Sequence, residues 1–111
     1  MIRTLLALAL GGAVFGAFVA PASANPGKAL ITCVGCHDIT DAKKQVVGPP
    51  LFGLYETKPT SKGISFAKWD KTSLDTWLKD PAAVKPGTAM AFKVKNDKKR
   101  AAIIEALAEL K

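Results

Sequence analysis

The two cysteines of the chain stand three residues apart and its single histidine follows at once, giving the string Cys33-Val34-Gly35-Cys36-His37. No other feature limits the fold as much. A bridge between Cys33 and Cys36 closes a loop so short that it removes little freedom from the unfolded chain, so it cannot staple a domain, and any disulfide formed there is redox-active. With 111 residues and no second cysteine pair, the chain has to find another staple, because an apolar core of this size is marginal alone.

The N-terminus sharpens that need. Residues 4–20 carry no charge, Arg3 precedes them, Gly11, Gly12 and Gly16 interrupt the apolar run, and Pro21 leads into Ala22-Ser23-Ala24. This pattern predicts a secretory signal peptide over residues 1–24, cleaved before Asn25. The competing reading is a retained membrane anchor, since no charge lies between Arg3 and Lys28; the glycines and the A-x-A pattern favour cleavage. A domain of 87 residues, 25–111, is left, and losing Arg3 lowers the formal charge from +7 to +6. No second long apolar run, internal repeat or low-complexity segment occurs, which excludes a multi-span membrane protein, a repeat array and a disordered tail.

C-x-x-C-H is the attachment motif of c-type haem, in which two thiols add across the porphyrin vinyl groups and the histidine supplies the proximal iron ligand. A helical turn sets residues i and i+3 on one side of the chain to meet one porphyrin edge, and lets an imidazole at i+4 swing under the iron. Two other readings compete. A closed zinc site needs four ligands, and residues 25–111 hold only these three cysteine and histidine side chains, so zinc would draw on carboxylates or a partner. A thioredoxin-like centre sits at the end of a strand, and the flanks 27–32 and 38–44 carry no buried-strand pattern.

Six-coordinate haem iron needs a second axial donor, usually Met or His. His37 is the only histidine and, once Met1 is removed, Met90 the only methionine. Met90 lies in Lys85-Pro86-Gly87-Thr88-Ala89-Met90, where proline fixes one backbone angle and glycine permits a turn, so the side chain can be held at a rigid loop tip. A methionine alone is as often a core filler; beside C-x-x-C-H the ligand reading is the stronger.

Together these residues resemble a class I cytochrome c. The likeness runs over residues 27–110 and rests on Cys33-Val34-Gly35-Cys36-His37, Gly48-Pro49-Pro50-Leu51-Phe52-Gly53-Leu54, Trp69, residues 74–81 and Pro86-Gly87-Thr88-Ala89-Met90. It implies an all-α cytochrome c fold, with three main helices and long loops wrapped around one covalently bound haem c. It also implies that the Pro49 carbonyl takes the outer N–H of His37, that Trp69 and Thr88 donate to a haem propionate, and that Trp77 stands where mitochondrial relatives have a tyrosine near the methionine ligand. The likeness has gaps. The first helix is shorter than in mitochondrial relatives, Gly27 and Leu30 do not keep its usual register, and Thr57 beside Lys58 replaces an arginine near a propionate.

Periodicity predicts three helices and no strands. The first spans residues 28–35. The second opens at Thr72 with a Thr72-x-x-Asp75 box, runs through Leu74, Trp77 and Leu78, and stops before Pro81. The third opens near Asn96 or Asp97 and aligns Ile103, Ile104, Leu107 and Leu110 on one face, to pack on the first. The loops 38–54, 55–68 and 82–95 are too long for so small a domain unless they wrap a cofactor.

A His-Met iron has no vacant site for substrate, so the expected function is one-electron transfer in the periplasm, not catalysis. Lys43, Lys44, Lys79, Lys85, Lys93 and Lys95 flank the expected haem rim and would steer the protein to acidic docking surfaces on redox partners, a donor dehydrogenase or reductase and an acceptor oxidase or reductase. The chain is expected to reach a membrane only through such partners. Nucleic acid is disfavoured, because aromatics are few and the basic run Lys98-Lys99-Arg100 merely begins a helix. A monomeric shuttle and a haem subunit of a dehydrogenase or oxidase complex both fit, and displacement of Met90 would instead give a ligand-binding enzyme or sensor.

Overall fold

The longest helix starts where its cap is strongest. The Asn96 carboxamide oxygen accepts from Lys99 N–H at 2.9 Å and opens a helix over Asp97–Glu109, as predicted. Its buried face carries Ile103, Ile104 and Leu107, with Leu110 half-buried at the C-cap and Glu105 and Glu109 exposed. Arg100, the last of the basic run Lys98-Lys99-Arg100, falls one turn before Ile103 and Ile104, on the buried face, and is 4% exposed.

The computed structural model of the protein describes Gly11, Gly12 and residues 26–111; apart from those two glycines, the predicted signal segment lies outside the described residues. In chain order the helices are α1 (Pro26–Ala29), α2 (Lys71–Lys79), α3 (Pro81–Val84) and α4 (Asp97–Glu109), and no strand occurs among the described residues. No described helix is long and apolar enough to cross a membrane.

Two boundaries differ from expectation. The first helix stops at Ala29 and the chain continues through successive turns, with Cys33 N–H bonded to Leu30 O at 2.8 Å and Cys36 N–H to Cys33 O at 3.1 Å. Ile31, Thr32 and Val34 are β-branched and Gly35 is the weakest ordinary helix former, so these residues favour the shorter three-residue closures. The second helix is capped by Asp70 and not by Thr72: the Asp70 carboxylate accepts from Ser73 N–H at 2.9 Å, and Ser73 Oγ accepts from Asp70 N–H at 2.8 Å. This reciprocal box satisfies two donors, so Thr72 lies inside the first turn, where its carbonyl accepts from Thr76 Oγ1. The helix does end before Pro81, but α3 follows at once with Asp80 as N-cap and Pro81 at N1, a start the Asp-Pro pair announces.

Packing centres on α4. Helices α1 and α2 both lie against it, and α3 packs on α2. Leu30, just past α1, is fully buried with Ile103, Leu74, Leu78, Val94, Ala106 and Leu107. Fully burying such a leucine contributes about 1.5–3 kcal/mol. The unusual register of the first helix therefore still delivers an anchor to α4. The loop before α2 is tied down by Gly53 N–H to Leu110 O at 2.7 Å, in a positive-φ position (74°) that favours glycine. Against this core packs a half-buried set that includes Cys33, Tyr55, Phe66, Trp77 and Met90.

Candidate haem-binding site

The turn that ends the first helical segment builds the first half of the site. His37 N–H bonds to Cys33 O at 2.9 Å, so one helical closure spans the whole C-x-x-C-H string. Gly48 N–H then bonds to Cys36 O at 2.7 Å and brings Gly48-Pro49 against the imidazole. His37 Nδ1 lies 2.6 Å from Pro49 O. A peptide carbonyl only accepts, so Nδ1 carries the proton and Nε2 keeps its lone pair for a metal.

Gly48 is part of the same construction, though its sequence position suggested no role. A Cβ there would overlap the ring, 2.7 Å from Nδ1 and 3.0 Å from Nε2, so only glycine lets the backbone lie against the imidazole. Its place just before the proline whose carbonyl meets the ring was the available signal. Beside His37, the Asp38 carboxylate accepts from Lys44 N–H and Thr40 N–H, each at 2.9 Å, and from the Thr40 hydroxyl at 2.7 Å. These donors hold it below the usual carboxylate range and brace the following loop.

Cys33 and Cys36 are both free thiols, Cys33 half-buried on the core and Cys36 exposed. Burial pushes the Cys33 thiol up, against the opposing hydrogen bond with the Thr32 side chain.

The second half of the site is the methionine loop. Thr88 N–H bonds to Lys85 O at 3.1 Å and Gly87 has φ 80°, so Pro86 and Gly87 occupy the centre of a tight turn, as their types require. Met90 N–H donates to Thr88 Oγ1 at 3.2 Å, and Trp77 Nε1–H donates to the Met90 sulfur at 3.3 Å. Thr88 therefore positions the Met90 backbone with its oxygen and keeps its own O–H to donate elsewhere. Trp77 reaches the sulfur from α2.

Trp69 is 8% exposed and lies 5.7 Å from both Phe66 and Trp77, edge-on to the latter. Its indole N–H has no hydrogen-bond acceptor among the described residues, which leaves it available to a bound anion. Thr57 instead spends its hydroxyl on Leu54 O at 2.5 Å.

This donor set fits a c-type haem: two free thiols and an imidazole on one turn, a restrained thioether, and spare donors in the Trp69 indole and the Thr88 hydroxyl. A protein-only metal centre is not supported, since no group of three or more His, Cys, Asp and Glu converges among the described residues. Nor is there a strand to carry a thioredoxin-like centre among them.

Comparison with known proteins points the same way. No protein-family model matches the chain. It is 37% identical to cytochrome c-550 of Bradyrhizobium diazoefficiens over 59% of its length, a stretch that spans 55% of that relative. Against cytochrome c2 of Blastochloris viridis it is 35% identical, over 78% of this chain and 83% of that one. The solved structure of cytochrome cH from Methylobacterium extorquens matches it with a TM-score of 0.63 at 33% identity, covering 76% of this chain and 94% of the other. The chain belongs to the class I c-type cytochromes. Its cofactor is haem c, with Cys33 and Cys36 the two cysteines of its C-x-x-C-H string, and it is an electron carrier.

Proposed function

We propose that the chain is an exported single-electron shuttle whose haem iron is held between His37 Nε2 and the Met90 sulfur. One observation carries this reading. The only histidine and the only methionine after Met1 each have an orienting partner already in place, the Pro49 carbonyl on Nδ1 and the Trp77 indole on the sulfur. Bound there, the haem supplies one-electron exchange. The protein groups do the rest. Cys33 and Cys36 prevent loss of the cofactor, Pro49 makes the imidazole more electron-rich, and Trp69 and Thr88 donate to a propionate that would be costly to bury alone. With His37 and Met90 both holding the group, no substrate site would be left on it, which is why the role is carriage and not catalysis.

Residues 1–24 direct export to the periplasm, where the basic surface meets acidic redox partners. Exposed Lys44 borders a shallow depression with Val34 and Val46 beside His37, and Phe92 is exposed two residues beyond Met90. Lysines steer such an encounter and apolar groups make the close contact. Met90→Ala in haem-loaded protein tests the ligand assignment. The reduction potential is expected to fall and the ferric iron to accept added imidazole; an unchanged potential removes Met90 from the ligand set.

A further inference from the structure

The buried guanidinium of Arg100 holds more than a helix contact requires. Nε donates to the Asp75 carboxylate at 2.8 Å and Nη2 to Asp97 at 2.5 Å, pairing α4 with α2 and with its own first turn. Nη1 donates to two backbone carbonyls, Val94 O at 3.0 Å and Lys95 O at 3.1 Å. Those carbonyls belong to the segment that runs from Met90 to α4. From its other side, α2 grips the same segment twice: Leu78 O accepts from Val94 N–H at 2.8 Å, and Trp77, the preceding residue, holds the Met90 sulfur at 3.3 Å.

Position 100 lies on the apolar face with Ile103, Ile104 and Leu107, where an uncharged side chain would pack without the desolvation that a buried cation requires. The bond from Nε to Asp75 alone would join α4 to α2. What an apolar residue cannot provide is the pair of donors on Val94 and Lys95, and these fix where the methionine arm lies against Trp77.

We propose that Arg100 is a positioning residue for Met90, which holds residues 94–95 in the register that keeps the sulfur at the iron and so sets how often that bond opens. The inference rests on the reading of Met90 as an iron ligand. In a two-state exchange, an added ligand binds in proportion to the fraction of molecules whose sulfur is off the iron. Imidazole affinity of the ferric protein therefore reads the opening equilibrium directly.

The test compares haem-loaded wild type, Arg100→Met, Arg100→Lys and Leu107→Ala, the last being a core change on α4 that removes no donor to either carbonyl. Arg100→Met is expected to raise imidazole affinity about tenfold and to weaken the methionine–iron absorption band, with partial recovery in Arg100→Lys, whose ammonium can still donate. Leu107→Ala should unfold more easily and yet bind imidazole within about twofold of wild type. Equal imidazole affinity in Arg100→Met and Leu107→Ala would overturn the proposal and leave Arg100 a fold stabiliser. Should Arg100→Met fail to mature, Arg100→Lys, whose single ammonium cannot hold the carboxylates and both carbonyls at once, must itself raise imidazole affinity above wild type or the proposal falls. A wild type with no methionine–iron band would instead reject the ligand reading, and the proposal with it.

Discussion

The indole N–H of Trp77 points at the sulfur of Met90 across 3.3 Å. An indole donates and cannot accept, so this bond draws electron density from the thioether. A sulfur so engaged is a poorer donor to ferric iron, which favours the ferrous state. Trp77→Phe keeps an aromatic ring against Trp69 but removes the donor. The potential is expected to fall by about 20–40 mV, which at 59 mV per tenfold corresponds to roughly half to one kcal/mol, the net worth of one hydrogen bond. Redox titration of the two proteins checks it, and a potential that stays put or rises shows that the bond does not tune the sulfur.

Gly48→Ala acts on the opposite ligand. The new methyl would overlap the His37 ring, so the imidazole must rotate away from Pro49 O or the Gly48-Pro49 backbone must shift. Either movement lengthens the 2.6 Å bond, makes the imidazole less electron-rich and moves the potential upward. Overpacking of this kind costs about 1–3 kcal/mol. Thermal unfolding together with a redox titration measures both effects; unchanged values in each would mean the ring is free to adapt.

How much of this was legible without coordinates depended on how local the signal was. The Cys-x-x-Cys-His string, the Asn96 cap and the 103, 104, 107 stripe depend on spacing within a few turns, and sequence shows spacing directly. The Pro49 and Trp77 contacts span 12 and 13 residues; the first was legible only through family resemblance, which placed Trp77 near the methionine but left its contact with the sulfur open, because nothing in the residues between them encodes the approach. One local reading failed for a physical reason. Thr72 looked like a cap because threonine often is one, but Asp70 with Ser73 satisfies more of the orphan donors. The burial of Arg100 had no local signal, because only the approach of Asp75 and the 94–95 carbonyls makes it tolerable.

The cap of α2 gives a pH signature. Ser73 N–H, with the Ser73 hydroxyl next, holds the Asp70 carboxyl below its ordinary value. A carboxylate with a lowered folded pKa contributes stability above its unfolded pKa of about 3.9, and that contribution is lost as pH falls through the folded value. Asp70→Ala should therefore be less stable than wild type at neutral pH, with the gap closing under acid conditions. Denaturant titrations across the range from about pH 7 to pH 3 test this; a gap independent of pH would show that the charge of Asp70 is immaterial.

If exposed lysines steer docking, the rate of electron transfer to an acidic redox partner falls steeply as the Debye length shrinks from about 30 Å at 0.01 M to about 8 Å at 0.15 M salt. Lys44→Glu should lower the association rate and flatten that salt dependence while leaving the potential near wild type. Stopped-flow kinetics at several ionic strengths decide it, and a salt-independent rate would remove steering from the account.

The most direct test of the central claim is optical. Periplasmically matured protein is denatured on a gel stained for covalent haem, and the ferric spectrum of the native protein is recorded at the red edge, where iron bound to a methionine sulfur absorbs weakly. Haem that survives denaturation, with that band present in wild type and absent in Met90→Ala, is the predicted result. Covalent haem without the band in wild type would contradict the His37–Met90 pairing.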